Sequence, residues 1–339
     1  MPKRGHHGTM SQDLISDNLQ SGQVLDDRFK ILAVINRGGM SCIYEALDCR
    51  TGQTVALKVP LMRYESDVTA FSRFQREEEI GLSLNHPYIL KVIPEKNKDR
   101  PYIAMEFPKG RMLAQRLHET RPFPEVEAVR IASKVCEALD YMHRQGVIHR
   151  DLKPDNIMLC DDGGIRIMDF GIAKLDHARR LTFGSLSPTM GTPDYIAPEQ
   201  VRGKRGDSRT DIYTLGAILY EMATGSTPFQ GDNPYVIMNV RLSGDPKAPR
   251  QVNPKLTPVL EEIILHSLER DPANRFASAS EMKAELDNYE IVPLTGRFKR
   301  LKPPQPWKAK FRLLPMILAF ATVQVIIFLL LIWYFNRPK

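Results

Sequence analysis

Two short polar stretches near the middle of the chain carry the residue types that could do chemistry. They read HRDLKPDN at 149–156 and MDFG at 168–171. Phosphoryl transfer needs a carboxylate at the attacking hydroxyl, a cation at the γ-phosphate and metal ligands nearby. Asp151 and Lys153 supply the carboxylate and the cation, and are the predicted catalytic residues. Asn156 and Asp169 offer the hard oxygen donors that suit Mg²⁺, so they are the predicted metal ligands.

The elements that must position these residues change in character along the chain. The first part is strand-like, with a helix predicted over residues 66–84 that begins at Ser66 or Asp67. The other predicted elements are strands near Ile89–Pro94 and Tyr102–Glu106 and helices at Glu125–Gln145, Asp211–Gly225, Leu256–Glu269 and Ser280–Tyr289. A β-rich front at 25–108 and a helical back at 109–290 therefore predict one bilobal α+β unit.

The two ends of the chain differ from this unit. Residues 1–24 are polar with little periodicity and are predicted to be disordered. Residues 291–312 are expected to form a basic, proline-containing linker. Residues 313–335 carry no charge and would span roughly 34 Å as a helix, enough for a ~30 Å hydrocarbon core. Because basic residues precede this span and no signal peptide is evident, we expect a single-pass protein of the cell membrane, held by a C-terminal tail anchor with its folded part in the cytoplasm.

The net charge of +7 is modest, and much of the excess lies at 297–312. Because this charge adjoins an apolar run, it indicates contact with anionic lipid headgroups and disfavours nucleic-acid binding. The four cysteines show no C-x-x-C spacing, so they predict neither a metal cluster nor a disulfide framework. Gln324 lies in the middle of the apolar run, where it could hydrogen-bond a neighbouring helix, and it is the basis for a homodimer hypothesis.

The motifs HRDLKPDN, MDFG, VALK and GTPDYIAPE together resemble those of eukaryotic-type protein Ser/Thr kinases, in particular bacterial membrane-anchored members. The resemblance covers about residues 25–290. It implies the bilobal protein-kinase fold plus one C-terminal transmembrane helix, with ATP and Mg²⁺ or Mn²⁺ as cofactors. It also implies Ser and Thr residues of protein substrates as acceptors, because Lys153 stands two residues after the catalytic acid.

The resemblance assigns roles to residues of the β-rich part of the chain, 25–108. Lys58 of VALK would hold the α- and β-phosphates and pair with a glutamate on the following helix. Among the three candidates, helical spacing places Glu77 on the apolar stripe, whereas Glu78 and Glu79 are expected on a solvated face. Met105 would be the gatekeeper beside the hinge that binds adenine. The implied ATP-binding residues are Asn36, Arg37, Gly38, Gly39, Met40, Ser41, Ile43, Ala56, Lys58, Glu77, Glu106 and Pro108.

In the helical part of the chain, 109–290, the resemblance implies structural and regulatory roles. Thr192 would contact the catalytic acid, and Glu199 would pair with Arg275. Asp211 would brace the catalytic loop. The motif GTPDYIAPE at 191–199 resembles the end of the family's activation segment. Arg150 precedes the catalytic acid and would need an anionic partner, which a phosphate on this segment could supply. The predicted autophosphorylation sites are Thr182, Ser185, Ser187 and Thr189.

The glycine-rich stretch INRGGMSCIY leaves an alternative open. The three glycine positions of the family fall at Asn36, Gly38 and Ser41, and only the middle one is a glycine here. A membrane-tethered pseudokinase that serves as an ATP-binding scaffold is therefore the alternative. Because Gly38 and Gly39 remain where the backbone must approach the phosphates, we expect a working clamp with weakened ATP affinity. A small-molecule phosphotransferase is disfavoured by GTPDYIAPE, since this element shapes a groove for peptides in the family.

Overall fold

The computed structural model describes residues 19–302, except 66, 97, 170–193, 289 and 291, together with 322, 324, 326 and 327. The strands of the amino-terminal lobe are β1 (Val24–Leu25), β2 (Phe29–Arg37), β3 (Ser41–Asp48), β4 (Gln53–Pro60), β5 (Val92–Ile93) and β6 (Ile103–Glu106). They form one antiparallel sheet in the order β1–β2–β3–β4–β6–β5. Alternate residues of β3, such as Cys42 and Tyr44, point into the core of this lobe. Lys58 lies on β4, near the middle of this sheet.

The helices of this lobe follow β4. They are α1 (Met62–Glu65) and α2 (Val68–Ser83). The carboxylate of Asp67 accepts hydrogen bonds from the N–H groups of Thr69 and Ala70, which fixes Asp67 as the N-cap of α2. Phe74 and Gly81 are the buried residues of α2 and lie on the predicted stripe. This helix therefore presents Glu77 towards the sheet that carries Lys58.

The carboxyl-terminal lobe is helical, with a small sheet at its top. Its strands, β7 (Gly110–Met112), β8 (Ile157–Cys160) and β9 (Ile165–Ile167), pair in that order. Its helices are α3 (Leu113–Glu119), α4 (Glu125–Arg144), α5 (Pro198–Val201), α6 (Ser208–Thr224), α7 (Pro234–Ser243), α8 (Pro249–Val252), α9 (Pro258–Ser267) and α10 (Ala279–Asp287). Helix α6 is buried from Thr210 to Thr224 and forms the centre around which α4, α9 and α10 pack.

The bilobal α+β architecture expected from the sequence is thus confirmed. Two of the helices in the carboxyl-terminal lobe end beside a glycine. Helix α4 ends before Gly146, and α6 ends at Gly225, and both glycines have a left-handed backbone with φ of 73° and 80°. Only glycine adopts this conformation without a steric penalty, so each of these residues stops its helix.

The amino-terminal residues 19–24 differ from the expectation of a disordered tail. Leu19 is buried in the core of the amino-terminal lobe, and its N–H donates to the hydroxyl of Tyr44 at 3.1 Å. The N–H of Gly22 donates to the carbonyl of Ile31 at 2.8 Å. One buried apolar side chain and several backbone bonds therefore order a segment whose composition alone indicated disorder.

The start of the expected linker also differs from the prediction, because residues 292–302 pack on the carboxyl-terminal lobe. Glu262 of α9 is buried, and its carboxylate accepts hydrogen bonds from the hydroxyl of Thr295 and the N–H of Arg297. The guanidinium of Arg297 lies 3.3 Å from Glu262 and 3.1 Å from Glu269. Its charge is therefore neutralised within the protein, which removes Arg297 from the group of residues expected to bind lipid headgroups.

We expect Arg297→Ala, made in residues 1–302, to lower the free energy of unfolding by about 1.5–3 kcal/mol. The reason is that a buried carboxylate loses its charged partner. Urea denaturation measures this change. The matched control is Arg300→Ala, because Arg300 is largely exposed and lies 3.9 Å from Glu269. It should change stability by less than about 0.5 kcal/mol. Equal losses in the two variants would show that residues 292–302 do not depend on the Glu262 pair.

Within the part of the chain that the structure describes, no helix is both long enough and apolar enough to cross a membrane. The predicted transmembrane segment 313–335 lies outside the described residues except for positions 322, 324, 326 and 327. Gln324, the basis of the homodimer hypothesis, is helical and exposed.

Candidate active site

The glycine-rich turn joins β2 to β3 over Gly38–Met40. The N–H of Gly38 donates to the carbonyl of Ser41 at 2.8 Å, and an added Cβ on Gly38 would lie 3.1 Å from that oxygen. This close approach explains why a glycine stands there. Asn36 lies in β2 opposite Ile43. Neither Asn36 nor Gly38 is among the described positions with positive φ. Asn36 therefore does not need the conformational freedom of a glycine.

The other ATP-site candidates of this lobe lie on both sides of the turn. Ile43 and Ala56 pack in one apolar cluster with Met105. Ser41 is half-buried, whereas Arg37 and Met40 are exposed. Strand β3 therefore connects the turn, at its start, to the apolar cluster, which it forms with residues of β4 and β6.

Lys58 is the centre of a charged cluster at the cleft. Its Nζ lies 2.5 Å from Oε1 of Glu77 and 2.9 Å from Oδ1 of Asp169. Strand β4, helix α2 and the segment after β9 therefore meet at one ammonium group. Glu78, expected on a solvated face, instead pairs with Lys98, whose Nζ also donates to the carbonyl of Tyr102 at 2.7 Å.

The electrostatics of this cluster favour a bound cation. Desolvation opposes the charge of Asp169, but the ammonium of Lys58 outweighs it and holds the pKa of Asp169 below its usual value. Desolvation raises the pKa of Glu77. The charge of Lys58 lowers this pKa, but desolvation and the neighbouring charge of Asp169 together outweigh it. Two carboxylates thus share one lysine. A divalent metal beside Asp169 would relieve the excess negative charge.

The catalytic loop, residues 149–156, follows α4. Hydrogen bonds to backbone groups of the loop and of the segment after β9 hold it in place. The ring of His149 donates from Nε2 to the carbonyl of Met168 at 3.1 Å and accepts at Nδ1 from the N–H of Asp151 at 3.3 Å, which assigns its tautomer. The side-chain amide of Asn156 donates to the carbonyl of Asp151 at 2.8 Å. The N–H of Met168 donates to the carbonyl of Asn156 at 2.9 Å. His149 therefore positions Asp151 and joins the catalytic loop to the segment that carries Asp169.

Asp211 of α6 braces this loop from below. It is fully buried and accepts from the N–H groups of His149 at 2.9 Å and Arg150 at 2.8 Å. His143 lies 2.8 Å from the same carboxylate. These bonds hold Arg150 at a φ of 61°, a region that non-glycine residues rarely occupy. Asp169 has a φ of 54°, so backbone strain is concentrated in two residues of the site.

Glu199 and Arg275 form a buried bidentate ion pair. Their nitrogen–oxygen distances are 2.8 and 2.7 Å, and the hydroxyl of Thr210 also donates to Glu199 at 2.8 Å. Desolvation alone would raise the pKa of Glu199, but Arg275 outweighs it and lowers this pKa. The pair fastens the end of the activation segment to the carboxyl-terminal lobe. Gln200, which the sequence did not indicate, adds a bond from its side-chain amide to the carbonyl of Arg150 at 2.9 Å.

The hinge offers fewer hydrogen-bond donors than expected. The N–H of Glu106 is used by the carbonyl of Lys91 at 2.9 Å, and its carboxylate accepts from Arg166 at 3.1 Å. Pro108 has no N–H to donate. Phe107 is therefore the hinge residue from 106 to 108 whose N–H remains for adenine. The missing donor at Pro108 could be read from the sequence, but only the fold shows that Glu106 is already engaged.

The structure brings most of the predicted site residues together. Lys153 is half-buried beside the cleft, and its charge contributes to the lowered pKa of Asp169. The remaining predictions lie outside the described residues, namely Thr182, Ser185, Ser187, Thr189 and Thr192. Two residues that the sequence did not indicate are Arg76 of α2 and Arg205, whose charges act on Arg150.

A strand-rich lobe with a lysine–glutamate pair, set against a helical lobe with an acidic catalytic loop, defines the protein-kinase class of fold. The family described as "Protein kinase domain" matches residues 29–286. This chain therefore belongs to the protein kinase family, with relatives of the eukaryotic Ser/Thr type in bacteria.

The relatives are named as Ser/Thr kinases. A probable serine/threonine-protein kinase of Streptomyces coelicolor is 36% identical over 268 residues, which cover 78% of this chain and 40% of the relative. The serine/threonine-protein kinase PknB of Mycolicibacterium smegmatis is 36% identical over 269 residues, 78% of this chain and 43% of the relative. The chain thus spans about two fifths of the length of these relatives.

The fold agrees with solved structures. The PknI kinase domain of Mycobacterium tuberculosis is 27% identical and matches with a TM-score of 0.61, covering 80% of this chain and 100% of that one. The match is to a kinase domain over its whole length.

Proposed function

We propose that this protein is an active protein serine/threonine kinase that transfers the γ-phosphoryl group of ATP to Ser and Thr residues of proteins. The observation that carries the proposal is the Lys58 cluster, in which one ammonium contacts both Glu77 and Asp169. Phosphoryl transfer in this class needs the lysine–glutamate pair together with an aspartate that holds Mg²⁺, and the cluster brings these three side chains together. Names of the relatives support the choice of Ser and Thr as acceptors.

In this mechanism the protein mainly positions and neutralises charge. Lys58 would hold the α- and β-phosphates, while Asp169 and Asn156 would hold Mg²⁺, which neutralises the charge that develops on the phosphates. Asp151 would orient the substrate hydroxyl and accept its proton. Lys153 would contact the γ-phosphate. The donor set fits Mg²⁺ because it consists of a carboxylate and an amide oxygen beside an excess of negative charge.

The test is transfer from labelled ATP to a generic basic protein, with the purified full chain in neutral detergent and Mg²⁺. We expect label on serine and threonine after acid hydrolysis of the product, and loss of transfer when a chelator removes the metal. Label on tyrosine alone would contradict the proposed acceptor. Tight ATP binding without transfer would favour the pseudokinase scaffold, whose support is confined to the glycine positions replaced by Asn36 and Ser41.

We also propose autophosphorylation in the activation segment. The Nε of Arg150 is buried and has no hydrogen-bond partner within the described residues. Desolvation lowers the pKa of Arg150, and the neighbouring charges of Arg205 and Arg76 lower it further. The charge of Asp211 raises this pKa but does not outweigh them. Three arginines thus concentrate positive charge where an added phosphate would be stabilised.

Mass spectrometry after incubation with ATP and Mg²⁺ should find phosphate on at least one of Thr182, Ser185, Ser187 and Thr189. The same incubation of Asp151→Asn should leave these residues unmodified, which excludes a contaminating kinase. The absence of phosphate between residues 170 and 199 of the unmutated chain would refute autophosphorylation there.

We expect ATP binding to be weakened at Pro108 rather than at Asn36, because Pro108 has no N–H to donate to adenine. Pro108→Ala restores an N–H, so we expect the KM for ATP to fall about 2- to 10-fold with kcat unchanged, the effect of one hydrogen bond. Asn36→Gly should leave this KM within about twofold, because Asn36 lies in extended strand backbone. Pro94→Ala, in an exposed loop, is the control. A lower KM in Asn36→Gly alone would reverse this assignment.

We further propose that the segment 313–335 anchors the chain in the cell membrane, with the kinase domain on the cytoplasmic side. Its lack of charge over a length that fits the hydrocarbon core supports this proposal. Membrane fractionation with alkaline carbonate washing tests it. The full chain should remain in the pellet, while a chain that ends at Lys302 should be released.

A further inference from the structure

A cavity of about 630 Å³ lies in the carboxyl-terminal lobe, and no residue of HRDLKPDN or of the Lys58 cluster lines it. Its walls come from the end of α5, the segments that follow α7 and α9, and residues 297–301. The volume is within the range of pockets that bind small molecules. The cavity exists in this form because residues 292–302 pack on the lobe, since these residues supply one of its walls.

The lining of the cavity holds five basic and four acidic residues, a positive excess of one charge. Two of the acidic residues, Glu199 and Asp245, pair with Arg275 and Arg270. A third, Glu269, contacts Arg297, which it shares with the buried Glu262. The fourth, Asp271, accepts from the N–H of Ala273 and caps a turn.

The remaining basic residues of the lining are Arg202, Lys204 and Arg300. Arg202 and Lys204 are exposed and form no ion pair among the described residues, and Arg300 has only a contact of 3.9 Å with Glu269. Three cations from two separate segments therefore face one cavity without a close anionic partner. Such an arrangement favours a phosphate-bearing ligand.

The position of the cavity in the chain indicates the source of that ligand. The N–H of Lys302 donates to the carboxylate of Asp245 at 2.9 Å, so the chain is fastened beside the cavity at this residue. Ten residues, 303–312, separate this point from the apolar segment 313–335. Fully extended, they reach roughly 35 Å. If the apolar segment spans the bilayer as proposed, the cavity is held within one linker length of the headgroups, at a high effective concentration.

We propose that this cavity binds the headgroup of an anionic phospholipid, with Arg202, Lys204 and Arg300 as the residues that contact its phosphate. The proposal rests on the proposed membrane anchoring for the source of the ligand, but the binding itself can be measured without a bilayer. Arg202 follows α5, three residues after Glu199, so a lipid bound here would contact the region that fastens the activation segment.

The experiment uses the full chain in neutral maltoside micelles and titrates dihexanoyl phosphatidylglycerol below its micelle concentration. Hydrogen–deuterium exchange reports protection of residues 199–205 and 297–302. We expect saturable protection by this lipid and none by dihexanoyl phosphatidylcholine. The double variant Arg202→Glu and Lys204→Glu should weaken binding on the order of 30-fold, from two lost attractions to the anion. Arg300→Glu is a second, independent variant on the other wall.

The matched control reverses two exposed lysines outside the cavity, Lys30→Glu and Lys255→Glu, and should bind as the unmutated chain does. Equal weakening in the control would show a general charge effect and overturn the site. So would an absence of protection, or protection as strong with glycerol phosphate. Protection by a glutamate-rich peptide but not by the lipid would identify a protein-docking surface instead. Vesicle flotation of the same preparation tests membrane anchoring separately, so a failure of anchoring is distinguishable from a failure of this site.

Discussion

Asp151→Asn is expected to lower kcat by about 10²- to 10⁴-fold, the usual contribution of a positioned acid–base group. The substitution keeps the shape of the side chain but removes the group that would accept the proton of the substrate hydroxyl. The loop itself should persist, because His149 and Asn156 hold the backbone of Asp151. Transfer to a basic protein measures kcat, and nucleotide binding by calorimetry should stay within about threefold of the unmutated chain.

The matched control is Asp155→Asn, four residues later in the same loop, where the side chain is exposed. This variant should retain transfer. If Asp151→Asn still transfers phosphate at near-normal rate, or if both variants fail equally, Asp151 is not the catalytic acid–base residue.

The second large effect is expected at Lys58. Lys58→Met removes the ammonium that joins Glu77 to Asp169, so the two neighbouring carboxylates are left to repel each other. We expect kcat/KM to fall by on the order of 10²- to 10³-fold, as for the loss of one electrostatic stabiliser of the transition state. Part of the loss should appear as a raised KM for ATP, because Lys58 would also hold the phosphates.

Lys98→Met is the matched control for Lys58→Met. Lys98 is also a partly buried lysine of the amino-terminal lobe and pairs with Glu78, the residue after Glu77. Its loss should lower stability but leave kcat/KM within about threefold. A similar fall in both variants would mean that the Lys58 effect reflects destabilisation of the lobe and not the loss of phosphate contacts.

The catalytic loop could be predicted because its residues stand close together in the sequence. Asp151, Lys153 and Asn156 lie within six residues, and the spacing of α2 was sufficient to choose Glu77 over Glu79. Helical periodicity reports which face is buried, and Glu77 lies near that face. The same reasoning failed for Glu78, since its partner Lys98 lies 20 residues away and no local pattern indicates it.

Other features could not be predicted because they depend on packing between distant segments. The sequence predicts disorder for residues 19–24 and a linker for 292–302, but each segment is held by a buried group of the domain, Tyr44 in one case and Glu262 in the other. At Asn36 the replaced glycine indicated a clamp with weakened ATP affinity, whereas the structure places this residue in β2, beside an irregularity in the strand register and without a positive φ.

The sequence by itself therefore determined the family, the two lobes and the residues suited to phosphoryl transfer, because side-chain chemistry and helix or strand periodicity are local properties. Only the tertiary structure decided the charge contacts beyond the Lys58–Glu77 and Glu199–Arg275 pairs that the resemblance implied. It placed Asp169 beside Lys58 and Arg297 beside Glu262, and it left Arg202 and Lys204 without ion pairs in the described part of the chain. The physical reason is that ion pairing depends on distances through space, and residues far apart in the sequence set those distances.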